Sequence, residues 1–258
     1  MQPVVTDEAR RVVDEATSRG IVLRLFGGVA VRFHCPSATH RSLQRSYPDL
    51  DFFGTGKQSR MIKKLLLDLG YEPNQRFNAL HGATRLIFED SKNQRVVDIF
   101  LDVFKMCHTL YLGDRLTLDD YTIPISDLLL TKLQVVEINE KDIRDLIAIL
   151  RDHEVVDNAS PREKEAIDAG YISALCAGDW GLCKTLSLTV RKLLTFLSNY
   201  ELEPEANQIL HTRIGKLSHA IETVPKSFKW KLRDKVGERK RWYDLPEVPI
   251  RIQSVSSA

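Results

Sequence analysis

Hydrophobic and polar positions divide the chain into segments of helical and strand period. Residues 7–19 (DEARRVVDEATSR) keep their apolar residues on one helical face, with Thr6 as the expected N-cap and Gly20 as a stop. Residues 21–26 (IVLRLF) are a short apolar run, the pattern of a buried strand. Gly27 and Gly28 interrupt it, and residues 29–35 (VAVRFHC) read as one or two helical turns. Residues 36–48 are polar, hold two prolines and read as a loop. Residues 49–53 (DLDFF) alternate acid and apolar side chains, as a strand with one polar face does. Residues 58–69 have helical period and close at Gly70. Residues 85–89 and 95–104 are two strand runs around DSKNQ, a hairpin signal. Residues 126–137 and 139–151 read as helices capped by Ser126 and Asn139. Beyond about 155 the strand signal fades, and residues 161–176, 179–199, 205–222 and 226–243 all read as helices. The expectation is an α/β domain over 1–153 followed by a helical domain over 154–258.

Composition changes this picture little. With 258 residues, 43% of them hydrophobic and 28% charged, the chain has ordinary globular values, which excludes global disorder and fibrous repeats. No run of apolar residues is long enough for a membrane helix, and the N-terminal residues lack the apolar core of a signal peptide. Cys35, Cys107, Cys176 and Cys183 form no CxxC pair and read as ordinary thiols of a cytoplasmic protein. The pairs His34–Cys35 and Cys107–His108 suggest zinc, but adjacent side chains rarely point at one ion, so burial is the better reading. The net charge of +2 hides an asymmetry. Residues 226–243 hold eight Lys/Arg and two Asp/Glu, a local +6, so the other 240 residues sum to −4.

The chemistry is concentrated in a glycine pair followed by carboxylates. Gly27 and Gly28 lie between a strand and a helix, where bare backbone N–H groups favour an anion such as phosphate. On a strand Asp49 and Asp51 point the same way, about 7 Å apart or closer. Two such carboxylates repel unless something positive sits between them; a hard divalent cation does this, and Mg2+ takes one or two carboxylates plus substrate phosphates. Asp98, in VVDIFLDVF, is the candidate third acid; alternation places it on one face with Phe100 and Asp102. Joined to Asp49 and Asp51 it would complete a two-metal site, one ion activating a hydroxyl and the other offsetting a leaving pyrophosphate. Asp98 would serve there as general base or as an orienting ligand. Asp102 is its rival, and Asp98 is preferred because it lies nearer the hairpin turn. Taken singly, a DxD is usually a solvated strand edge and a GG usually a turn; their conjunction with a later strand acid is what carries the reading.

The segment FGGVAVRFHCPSATHRSLQRSYPDLDFFG resembles the glycine-pair and DxD signature of the nucleotidyltransferase superfamily with the polymerase-beta-like fold. It is most similar to the AbiEii-type group, which includes type IV toxin nucleotidyltransferases. That group has Arg-x-Ser-x-Asp-x-Asp; this chain has Arg45, Asp49 and Asp51 in place, with Tyr47 where the group has Ser. The group's helical Lys and later basic-Asp-x-x-Asp segment resemble Lys132 and Lys141–Asp142–Ile143–Arg144–Asp145, at a spacing that differs by a few residues. The resemblance covers about residues 21–150. It implies a mixed sheet flanked by helices and NMP transfer from ATP or another NTP to an acceptor, with Mg2+ and release of pyrophosphate. Carried over, Gly27 and Gly28 hold the triphosphate, Asp49, Asp51 and Asp98 bind metal, and Lys132 neutralises a phosphate.

Three further signals weigh less. GTGK at 54–57 lacks the spacing of a P-loop, since Asp51 stands at its first position and Gln58 follows the lysine. Asp142 and Asp145 read equally well as a solvated face paired with Lys141 and Arg144. The segment 226–243 interleaves Trp230, Trp242 and Tyr243 with basic residues, which suits either RNA or a terminal helix whose aromatics pack on the body. The expected function is an Mg2+-dependent nucleotidyltransferase whose acceptor hydroxyl lies on RNA (tRNA ends by analogy with toxins), a protein side chain or a small molecule, with the basic segment tilting the choice towards RNA. The alternatives are an antibiotic-modifying enzyme of the same chemistry, and a non-catalytic nucleotide- or RNA-binding module.

Overall fold

Apolar spacings of three and four residues fold α1 (Val5–Ser18), which buries Ala9, Val12, Val13 and Ala16. The computed structural model describes residues 4–160 and 163–245. Val4, not Thr6, stands at the N-cap of α1 and makes no side-chain bond, so the helix starts two residues earlier than the cap residue suggested. The next elements are β1 (Leu23–Phe26), α2 (Gly27–His34), β2 (Asp49–Gly54), α3 (Ser59–Asp68), β3 (Glu72–Pro73), α4 (Gln75–His81), β4 (Arg85–Asp90) and β5 (Arg95–Leu101). β3 and α4 had no clear sequence signal; α4 is seven residues long, capped by Asn74.

The sheet has the order β1-β2-β5-β4-β3. β2 runs parallel to β5, and the other neighbours are antiparallel, so the sheet is mixed. Alternation gives each strand two faces. Leu50, Phe52, Val97, Ile99, Leu86 and Phe88 share one face and are fully buried. α3 covers it: the Cδ1 of Ile62 lies 2.6 Å from where a Cβ on Gly54 would stand. Asp49, Asp51 and Phe53 point to the other face with Asp98, Phe100 and Arg85. The free edge of β1 is closed by residues 121–123, whose backbone exchanges hydrogen bonds with Leu25.

β5 ends sooner than its apolar run. Asp102 has φ +60°, which turns the chain out of the sheet, and the rest forms a separate hairpin of β6 (Val103–Lys105) and β7 (Thr109–Tyr111). α5 (Ile125–Leu133) and α6 (Glu140–Asp152) follow. Asn139 caps α6 by accepting from the Asp142 N–H. Ser126 does not cap α5; it is the second residue of that helix, buried, and its Oγ accepts from the Asp168 N–H.

The remainder is helical apart from one short parallel pair, β8 (Val155–Val156) and β9 (Ile167–Asp168). α7 (Ala169–Gly178) begins eight residues later than expected, at an Asp168 cap; residues 161 and 162, where that helix was to start, lie outside the described residues. α8 (Trp180–Phe196) and α9 (Pro204–Thr223) match their periodicity closely. α10 (Phe228–Val236) is half as long as residues 226–243 suggested, because Gly237 adopts φ +58° and turns the chain. One continuous apolar cluster runs from Ala9 through Ile221, so the helical part packs directly on the sheet part. No helix among the described residues is long and apolar enough to cross a membrane.

Candidate functional site

Parallel pairing of β2 and β5 sets Asp51 directly opposite Asp98, and Asp49 opposite Val96 two positions back on the same face. The three acids are therefore brought to one patch of the sheet. Leu50 between the two β2 acids is fully buried, which fixes the strand's register and turns both carboxylates to the open face. Asp102 is not part of the patch. It lies past the end of β5, exposed, and its backbone N–H donates to Gly54 O at 3.0 Å.

The glycine pair explains itself against this patch. Gly27 has φ +70°, a conformation side chains rarely adopt, and a Cβ on it would stand 2.1 Å from Asp51 Oδ2. A Cβ on Gly28 would stand 1.9 Å from Arg45 Nη2. The absence of both side chains lets the N-terminus of α2 close on the Asp51 carboxylate and the Arg45 guanidinium. The first N–H groups of α2 lack side-chain caps, so the helix presents bare donors beside the acids.

A second group of charges lies below. Arg45 donates to Asp145 through both Nε (2.8 Å) and Nη2 (2.7 Å). Lys132 Nζ lies 2.9 Å from Asp142 Oδ1 and 2.9 Å from Asp145 Oδ2. Asp145 is buried and the Arg45 ring contact with Tyr47, at 4.4 Å, covers the guanidinium. Burial works against the charge on Lys132, but Asp145 and Asp142 outweigh it and hold the pKa above the ordinary lysine range. Asp142 and Asp145 thus pair with Lys132 and Arg45 across the fold. Arg144 pairs with Glu140 instead, as a solvated helix pair.

The Asp51 carboxyl is strongly perturbed. Burial, then the Asp98 charge, push its pKa up to about 7; Lys132 opposes this, Asp49 adds to it, and Arg85 opposes it. Asp51 is thus short of positive charge, and the donor set of the patch is all oxygen. Asp49 and Asp51 fit a hard divalent cation on that ground. Asp98 is differently placed. Arg85 donates to it through Nε at 2.9 Å and Nη2 at 2.5 Å, so both carboxylate oxygens already accept from a guanidinium. Sequence reading passed over Arg85. The hairpin register pairs Ile87 with Asp98 and Arg85 with Phe100, which makes Arg85 the diagonal neighbour of the acid.

A cavity of about 400 Å³ opens on the outer side of Arg85, lined among others by His81, Phe100, Lys105 and Leu245. The C-terminal segment reaches it because the Asp244 N–H donates to Cys107 O at 2.9 Å. Trp242 anchors that segment: its Nε1 donates to Thr185 Oγ at 3.0 Å, and the same hydroxyl lies 2.7 Å from His108 Nε2. Trp180 Nε1 donates to Asp234. The aromatics Trp180 and Trp242 are therefore packing residues, and the lysines of α10 are exposed.

Away from the patch, ligand atoms of His34, Asp119 and Glu165 lie within 4.8 Å of one another. His34 is already served there, by Thr122 Oγ1 at 2.6 Å and Glu165 Oε2 at 3.2 Å. All four cysteines are buried as free thiols.

No family model matches the chain, and no curated protein does. Among solved structures it is similar to the lincomycin-bound lincosamide antibiotic adenylyltransferase LnuA, at 15% identity and TM-score 0.41, over 56% of this chain and 96% of that one. It is similar to the antibiotic-resistance factor ANT(2'')-Ia at 12% identity and TM-score 0.36, over 55% of this chain and 80% of that one. A tRNA-processing enzyme in its apo form covers 92% of this chain and 65% of its own length, at 16% identity and TM-score 0.29.

Proposed function

We propose that the protein is a divalent-cation-dependent nucleotidyltransferase that moves an NMP from an NTP to an acceptor hydroxyl. The observation that supports this most is the patch itself: Asp49, Asp51 and Asp98 on one sheet face, closed by the N-terminus of α2 through Gly27. Asp49 and Asp51 would hold Mg2+, which when bound offsets triphosphate charge and favours ionisation of the acceptor hydroxyl. The N–H groups at the start of α2 cradle phosphate oxygens, and Gly27 and Gly28 keep that approach open. The acceptor oxygen attacks the α-phosphorus, the bond to the β-phosphate oxygen breaks, and pyrophosphate leaves. Asp98 receives the acceptor's proton; each of its oxygens keeps a lone pair after bonding Arg85. Lys132, locked between Asp142 and Asp145, adds positive charge behind Asp51. Residues 1–153 carry the chemistry and residues 154–258 shape the acceptor site.

The favoured acceptor is RNA. Lys229, Lys231, Lys235, Arg239, Lys240 and Arg241 are exposed, and the segment that bears them runs on to Asp244 and Leu245 at the cavity beside Arg85. The cavity also supports a second reading, a small hydroxyl-bearing acceptor such as an antibiotic, since about 400 Å³ suits a drug-sized molecule.

Incubation with each α-labelled NTP, Mg2+ and either total RNA or a panel of hydroxyl-bearing antibiotics separates the two. Labelled RNA with released pyrophosphate is the expected result. Asp49→Ala and Asp51→Ala should each cut transfer on the order of 10²–10³-fold, the scale for losing one electrostatic contact to a transition state. Full activity in either variant would remove the metal-site assignment. Metal-independent RNA binding without any transfer would support a non-catalytic module.

A further inference from the structure

We propose that Arg85 stands in the place of a second metal ion, so that the centre takes one divalent cation, on Asp49 and Asp51. The inference rests on the nucleotidyltransferase reading and deepens it. Two observations carry it.

The first is occupancy. Arg85 grips Asp98 in a two-point bond at 2.9 and 2.5 Å, and only 12% of either side chain is exposed. A cation joining Asp98 would have to share the carboxylate with a guanidinium that cannot lose its charge.

The second is anchorage. The guanidinium lies 4.5 Å from the centre of the Phe100 ring and 5.8 Å from that of Phe77. Phe100 is buried against Phe26 and Phe104, so the floor under Arg85 is part of the core. Arg85 is held in place from below and by its own strand.

Arg85 is a positioning residue: it fixes which way the Asp98 oxygens face, so that their remaining lone pairs meet the acceptor proton.

The test is Mn2+ titration of the full chain, read by the free-ion signal in electron paramagnetic resonance. Wild type should bind one Mn2+ per chain. Asp51→Asn should bind none. Asp98→Asn should still bind one, because Asp98 is not a ligand. Arg85→Met should open a second site, and Arg85→Lys should return the count to one. Arg85→Met carrying Asp98→Asn should also bind one, and serves if the single variant is too unstable to purify. Two ions on the wild type, or loss of the ion in Asp98→Asn, overturns the proposal while leaving nucleotidyl transfer intact. No Mn2+ on the wild type overturns both this proposal and the metal-dependent reading of the site, whereas one ion without transfer to any acceptor fails the function alone.

Discussion

At the scale of single residues, Asp51 sets the pH behaviour. Its pKa rises from 3.8 to about 7 in the folded chain, first through burial and then through the Asp98 charge. A carboxyl with a raised folded pKa holds an extra proton in the native state. Its contribution to stability is present below about 3.8 and is lost as pH rises through about 7. In metal-free protein the Asp51 contribution should therefore fall between about pH 4 and 7, read as the difference in slope between wild type and Asp51→Asn. Mn2+ affinity should rise over the upper part of the same window, since the ligand must shed its proton. Melting curves at several pH values, with and without chelator, check both; a slope unchanged in Asp51→Asn would remove the assignment. The two β2 acids could be read from sequence because period-two alternation and a buried Leu50 leave them one direction to point. Arg85 could not. Its role depends on a hairpin register that a five-residue turn signal does not fix.

At the scale of elements, the site is held by long-range ion pairs between a loop and two helices. Arg45 leaves the loop before β2 to reach Asp145 on α6, and Lys132 on α5 reaches the same carboxylate. Arg45 and Asp145 have side chains only 9% and 2% exposed, so removing one partner strands a buried charge. Asp145→Ala should destabilise the fold by about 3–5 kcal/mol, well beyond a surface pair. Urea unfolding measures this, and a loss below about 1 kcal/mol would place the pair among the surface bridges. The helices themselves were legible: α3, α6, α8 and α9 announce themselves by apolar spacing and by caps such as Asn139. The failures have physical causes. Thr6 and Ser126 are good caps by type, but both lie inside their helices, which start behind Val4 and Pro124. The apolar run 95–104 hides the positive φ of Asp102, and the basic run 226–243 hides that of Gly237. Periodicity does not report either.

At the scale of the whole molecule, the charge division in the sequence becomes a spatial one. The negative group is sunk in the sheet face, and the positive group is carried on α10 and the turn after it, with its side chains in solvent. Trp242, bonded to the Thr185 hydroxyl that also meets His108, ties the end of that segment to the body. Reversing three exposed charges at once, as Lys229→Glu, Lys231→Glu and Lys235→Glu, should weaken RNA binding uniformly across sequences. The slope of log affinity against log salt should fall by roughly 2, at about 0.7 per single-strand phosphate contact. Filter binding across a salt series reads this, and an unchanged slope would exclude α10 from the acceptor surface. Antibiotic modification, if that is the activity found, should be indifferent to the same triple change.

The ion pair between Arg45 and Asp145 spans 100 residues of chain. A ribosome adding about 5–20 residues per second needs roughly 5–20 s to bring the second partner out after the first. For that interval the nascent chain already shows Asp49 and Asp51, yet lacks the helix that steadies Arg45 beneath the glycine pair. The charge network behind the acids is thus completed late, when α6 has left the tunnel. A chain stalled earlier carries the acids without the Asp145 carboxylate that fixes Arg45.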